Sequence, residues 1–168
     1  MASMNKKRSK DTSAVEKSKL QVAVDSTPDV EGNFKLGLKA IESKYSGQII
    51  SSRSNPFTGS VDIDKATKKI YPGSNRWDYA IEYLGDTYFV EFHPANTSEV
   101  NVVLSKLTWL RQWLMTKASA IDAIKVKDKQ PYHWVFSGGN HILKNSRYWK
   151  QLSLKKLLPV KVLDFDKI

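Results

Sequence analysis

The sequence contains no cysteine, only three histidines and no long apolar run. The missing cysteines exclude disulfide scaffolds, thiol nucleophiles, thiolate zinc sites and iron–sulfur clusters together. Any metal must therefore be held by carboxylate, carbonyl, water or imidazole. Apolar runs such as Val102-Val103-Leu104 and Val135-Phe136 fall far short of the roughly 18 residues that cross a bilayer. The polar start of the chain also lacks the apolar segment of a signal peptide. The expectation is a cytoplasmic protein with no membrane partner. Acids are scarce as well, with 17 Asp and Glu against 27 Lys and Arg, for a formal charge of +10. What the chain does have is 40% hydrophobic and 11% aromatic residues in a length of 168. That is enough to build one real core, and it excludes wholesale disorder.

The charge is unevenly placed. The first nineteen residues hold the six cations Lys6, Lys7, Arg8, Lys10, Lys17 and Lys19 against Asp11 and Glu16, and turn formers follow at Asp25-Ser26-Thr27-Pro28-Asp29. Residues 1–29 therefore read as a flexible basic tail and linker, and residues 30–168 as a single domain. Lys144, Arg147, Lys150, Lys155, Lys156 and Lys161 form a second concentration, with no acid between Leu143 and Val162. A basic tail plus a basic folded surface is the footprint of a polyanion binder, because each phosphate contact releases condensed counterions. The plainer alternative is a cationic surface that is simply solvated.

Phe34, Leu38, Ile41 and Tyr45 recur at helical spacing, which predicts a helix over residues 32–45 closed by Gly47. A short strand is expected at residues 48–51. Residues 53–75, rich in Pro, Gly, Asn and Ser, read as a long loop with one strand at Val61-Asp62-Ile63 and with Lys65, Lys68 and Lys69 behind it. Two aromatic and β-branched runs, Trp77–Tyr83 and Tyr88–His93, flank Gly85-Asp86 and predict a β-hairpin. Val100, Val103, Leu104, Leu107, Leu110 and Leu114 then mark the longest helix, over residues 99–118. A strand at 132–136, a helix at 146–157 and a strand at 160–165 complete the chain. The order predicts an α/β protein with a mixed central β-sheet and flanking helices.

With Gly85-Asp86 as the turn, Asp78 faces His93, Ala80 faces Glu91 and Glu82 faces Phe89. Strand side chains alternate, so Asp78, Glu91 and His93 emerge on one face. Two carboxylates and an imidazole can bind a hard cation such as Mg²⁺ or Mn²⁺ and leave positions for water and a phosphate oxygen. The alternative is an ordinary cross-strand pair of Asp78 with His93 on a solvated face, with Glu91 turned to water.

Placed at these positions, the acids make the chain resemble the PD-(D/E)xK nucleases, the restriction-endonuclease-like superfamily. Asp78 in Trp77-Asp78-Tyr79 matches the family's first acidic residue, and Glu91 in Val90-Glu91-Phe92-His93 matches the second. The order helix, strand, hairpin, helix, strand is similar to the family's common core. The resemblance implies a divalent-metal-dependent endonuclease, acting on DNA ahead of RNA, with Asp78 and Glu91 as metal ligands. Some members add a glutamate from the first helix, and Glu42 has that place here. His93 replaces the motif lysine, as a metal ligand or a proton-transfer group, and Lys106 on the following helix is the alternative source of the lysine.

Lys65, Lys68, Lys69, Lys144, Arg147, Lys150, Lys155 and Lys156 are the candidate phosphate contacts. A metal-independent ribonuclease using His93 and His141 is a further reading, and His133 suits a structural role beside Trp134. Trp109 and Trp113, four apart on the long helix, fit a nucleic-acid surface or simple core packing. Neither a phosphate-binding glycine motif nor a nucleophile elbow is present. The rival to the nuclease is a noncatalytic nucleic-acid-binding or assembly protein that uses the basic tail and C-terminal face, with a homodimer or larger assembly as a further partnership to consider.

Overall fold

The computed structural model describes residues 15–168. In chain order its elements begin with α1 (Lys19–Asp25), β1 (Phe34–Leu36), β2 (Ile49–Ile50), β3 (Phe57–Asp62) and α2 (Ile63–Thr67). The hairpin strands β4 (Tyr79–Tyr83) and β5 (Asp86–Phe92) follow, then α3 (Val100–Thr116), α4 (Ser119–Ala123), β6 (Tyr132–Val135), α5 (Arg147–Leu154) and β7 (Leu163–Asp164). The fold is mixed α/β. Five strands form one sheet in the order β1-β3-β4-β5-β6, antiparallel except for the parallel pair β5 and β6. A parallel pair, β2 with β7, makes a second small sheet. Among the described residues, no helix is long and apolar enough to cross a membrane.

Both faces of the hairpin are covered. Tyr79, Ile81, Tyr83, Tyr88, Val90 and Phe92 pack with Ile41, Ile49, Leu163 and Phe165 on one side. On the other, Ala80 and Phe89 share a core with Val103, Leu107, Leu110 and Trp113 of α3, Leu20 and Val24 of α1, and Leu152 of α5. The three- and four-residue spacing on α3 is what aims its apolar stripe at the sheet. Asp78 and Glu91 therefore belong to a face that is roofed by a helix, and Glu91 is fully buried.

Three expectations need correction. The predicted 32–45 helix is absent: residues 34–36 pair with β3, Gly37 turns the chain at φ +57°, and a short 3₁₀ helix occupies Ser43–Gln48. A left-handed residue stops a helix, and the apolar spacing instead serves separate contacts such as Tyr45 stacked on Phe92. The expected tail is folded from residue 18 onward, because Leu20, Val24 and Val30 are buried and the Ser18 hydroxyl caps α1 by accepting from the Gln21 N–H. Glu82, buried in β4, accepts from the Leu20 N–H at 3.0 Å and completes that cap. Residues 1–14 lie outside the described residues. Finally, the 53–75 loop contains the six-residue strand β3 and the helix α2.

Candidate functional site

The hairpin turn is Leu84-Gly85, with φ of 49° and 84°, and Tyr83 pairs with Asp86. Positive φ at both central residues is the mark of a type I′ turn. The register is therefore shifted by two from the expected one, with Ala80 opposite Phe89, Glu82 opposite Thr87 and Tyr79 opposite Val90. A shift of two keeps every side chain on its face. Its effect is to bring Asp78 level with Glu91 rather than with His93.

At this end of the sheet each carboxylate extends the hydrogen-bond ladder. Asp78 Oδ2 accepts from the Phe92 N–H at 2.9 Å, and Glu91 Oε2 accepts from the Asp78 N–H at 3.1 Å. The Asp78 carbonyl also accepts from Ile63 N–H at 2.8 Å, which fixes the start of α2 beside it. The second oxygen of each carboxylate turns to one ammonium: Lys106 Nζ lies 3.2 Å from Asp78 Oδ1 and donates as well to Glu91 Oε1. Lys106 reaches them because it interrupts the apolar stripe of α3, three residues after Val103 and four before Leu110.

His93 follows β5 and lies between two carboxylates, Glu91 and Glu99. Its Nδ1 is 3.4 Å from Glu91 Oε1, and its Nε2 is 2.6 Å from Glu99 Oε2 at the start of α3. Burial pushes the Glu91 carboxyl up to about 7, with the Asp78 charge adding to the shift and His93 and Lys106 opposing it. Asp78 is raised by burial too, against the pull of Lys106. His93 is raised by its contact with Glu91 and then by Glu99. Burial works against the Lys106 charge, but Glu91 and Asp78 outweigh it and raise its pKa. These groups titrate as one coupled set, and a proton between Glu91 and His93 belongs to the pair.

Among the described residues, no three His, Asp or Glu side chains form a metal-ligand group. The expected trio of Asp78, Glu91 and His93 does not close on one point: the imidazole lies between Glu91 and Glu99, while Asp78 and Glu91 share the Lys106 ammonium. Glu42, exposed at the start of the 3₁₀ turn, pairs with Lys44 at 3.0 Å and makes no bond to Asp78 or Glu91. The Lys106 ammonium sits where the two carboxylates converge, so a cation shared by Asp78 and Glu91 would have to displace it or lie beside it. Ions such as Mg²⁺ or Mn²⁺ are commonly held by one or two carboxylates, with water and substrate phosphate completing the shell.

The candidate phosphate contacts are all exposed. Lys65 lies on α2, with Lys68 and Lys69 just beyond it, and α2 begins against Asp78. Lys144, Arg147, Lys150, Lys155 and Lys156 flank or lie on α5. Lys155 lines a separate cavity with Leu104, Thr108 and Arg111, on the other flank of α3 from Lys106. His133 is depressed to about 4 by burial and faces the Gln130 carbonyl at 2.9 Å, a structural position. His141 is exposed, and its backbone N–H donates to the Ala95 carbonyl. No contact brings it to His93.

Two residues near the site were not expected there. Glu99 is the partner of His93, and its only signal is an acid at the start of the long helix. Arg76 binds Asp64 at 2.9 Å and the Tyr71 carbonyl at 2.6 Å, bracing the segment that leads into Asp78. No protein family, curated protein or solved structure matches this chain.

Proposed function

We propose that the protein is a divalent-metal-dependent nuclease, with Asp78, Glu91 and Lys106 at its catalytic centre. The observation that carries this reading is the convergence of two carboxylates, Glu91 on β5 and Asp78 just before β4, on the ammonium of a helix residue. Part of the element order supports it: the β4–β5 hairpin, α3 and a β6 parallel to β5 keep the hairpin, helix, strand portion of the restriction-endonuclease-like order, whereas the first core helix expected at residues 32–45 is absent. In this reading α3 supplies the lysine that the strand motif lacks, in place of His93.

Asp78 and Glu91 would hold Mg²⁺ or Mn²⁺, which lowers the pKa of bound water and offsets charge on a phosphate. Lys106 keeps its proton beside the two acids and can donate to phosphate oxygens as charge develops there. A preorganised donor of that kind contributes about 10²- to 10³-fold in rate. His93, oriented by Glu99, is placed at the rim to pass a proton. The exposed lysines of α2 serve the phosphate backbone leading into the site. DNA is the first substrate to test and RNA the second.

A second reading rests on the same contact. An ammonium that fills the space between two carboxylates is also a closed structural ion pair, which suits a noncatalytic nucleic-acid-binding or assembly protein. Incubating plasmid DNA, single-stranded DNA and RNA with the protein and Mg²⁺ or Mn²⁺ separates the two. The nuclease reading expects cleavage that Asp78→Asn, Glu91→Gln and Lys106→Met each abolish while folding is retained.

A further inference from the structure

The flank of α3 that carries Lys106 also carries Trp109 and Trp113. Offsets of three and seven residues keep all three on one side of the helix, at about 4.5 Å and 10.5 Å along its axis from Lys106 at ~1.5 Å per residue. The two indoles are stacked, with centroids 5.7 Å apart and planes 8° apart, and Tyr71 meets Trp109 edge-on at 5.8 Å. Between them lies a cavity of about 260 Å³, lined by Tyr71, Trp109, Gln112, Trp113, Thr116 and Lys117.

Its aromatic walls are held from behind. Tyr71 Oη and Trp113 Nε1 both donate to Asp29 Oδ2, at 2.6 and 2.9 Å. Arg76, two residues before Asp78, grips the Tyr71 carbonyl. The cavity and the carboxylate site thus share two segments, residues 71–78 and α3. The outer rim differs from the walls: Gln112, Thr116 and Lys117 are exposed, and they offer an amide, a hydroxyl and an ammonium. Core packing accounts for Trp113 and for the side of Trp109 that meets the core, and it leaves the exposed part of Trp109 facing an open cavity.

We propose that this cavity takes up one unpaired nucleobase of the nucleic-acid strand whose phosphates reach Lys106. The inference rests on the nuclease reading for the strand's presence, and deepens it by naming an unpaired or flipped nucleotide as the preferred substrate. Stacking on aromatic rings accepts any base, since every base has a π face. The polar rim meets the base edge, and Lys117 supplies charge complementarity to the adjoining phosphate. A base inside a duplex cannot reach such a pocket unless it leaves the stack. The rigid walls reduce the ordering cost of binding.

The test uses the full chain in metal-free buffer, so that binding is read without cleavage. A labelled single-stranded oligonucleotide is compared with a duplex of equal length and with a chain of abasic units, for the wild type and Trp109→Leu. The expected result is that Trp109→Leu weakens single-strand binding about 5- to 100-fold. The abasic chain should bind the wild type as weakly and lose nothing further in the variant. Should Trp109→Leu not fold, the wild type alone decides: of the five tryptophan indole N–H resonances, those of Trp109 and Trp113 should move on adding single strand and stay on adding duplex. Equal binding of intact and abasic chains, or unmoved resonances with single strand bound, overturns the proposal. Base-dependent binding without any metal-dependent cleavage supports the pocket while refuting the nuclease. Asp78-dependent cleavage indifferent to Trp109 and to base removal refutes the pocket alone.

Discussion

Lys106 opposes the burial that raises both of the acids it touches. Removing one partner of a buried ion pair leaves uncompensated charge and costs about 3–5 kcal/mol, so Lys106→Met should lower the melting temperature markedly. If Asp78 and Glu91 form a cation site, Mg²⁺ should restore more stability to Lys106→Met than it adds to the wild type, as read by thermal melts with and without metal. The pH dependence has a definite sign. Glu91 is raised from 4.5 to about 7, so the folded state keeps a proton that the unfolded chain releases, and stability falls as pH rises through that window. His133, lowered from 6.5 to about 4, acts oppositely, because the unfolded chain binds a proton there that the folded state refuses. The wild type should therefore show a shallow dependence from pH 5 to 6.5. Glu91→Gln removes the Glu91 share of the falling component and leaves that of Asp78, so its curve should rise relative to the wild type's across that range; a curve parallel to the wild type's would contradict a buried Glu91 that holds a proton.

The hairpin turn controls the register and hence which residue faces Asp78. Leu84 sits in the left-handed region, which costs an ordinary L-residue about 1–2 kcal/mol, and its side chain is 54% exposed. Leu84→Gly should accordingly raise stability by about 1 kcal/mol, measured by denaturant unfolding; a loss would mean that Leu84 packs more than it strains. The hairpin itself, α3 and β6 were legible because period-two and helical apolar patterns dominate there. The register was not, because Gly85-Asp86 is the better turn sequence and nothing local announces a left-handed leucine. The helix over 32–45 failed for a related reason: apolar spacing cannot reveal that Gly37 turns the chain and that strand pairing with β3 replaces helical bonds. At the site, Asp78 and Glu91 were readable from alternation alone. Lys106 was named only through the family resemblance, as a lysine on the following helix, and the Glu99 contact to His93 depends on tertiary packing.

Across the whole molecule, an excess of positive charge accompanies a small acidic pair, Asp78 and Glu91. Lys6, Lys7, Arg8 and Lys10 against Asp11 place +3 in residues 1–14, while residues 18–30 belong to the core and cannot be removed with them. Deleting residues 1–14 should leave folding intact and make the logarithmic salt dependence of nucleic-acid binding shallower by about 2–4 units; an unchanged slope would confine binding to the folded surface. Lys65 with Lys68 and Lys69, and the cations around α5, belong to separate segments of the chain, so their separate replacement distinguishes a strand led into the site from one held elsewhere. The central claim is that Asp78, Glu91 and Lys106 make a phosphodiester-cleaving centre. The most direct test is cleavage of plasmid, single-stranded DNA and RNA across a Mg²⁺ titration, with wild type beside Asp78→Asn, Glu91→Gln and Lys106→Met, each shown to be folded by its melt. The account predicts metal-dependent cleavage by the wild type and a loss of about 10²-fold or more in every variant. Cleavage retained in all three variants, or absent from the wild type on every substrate, would contradict it.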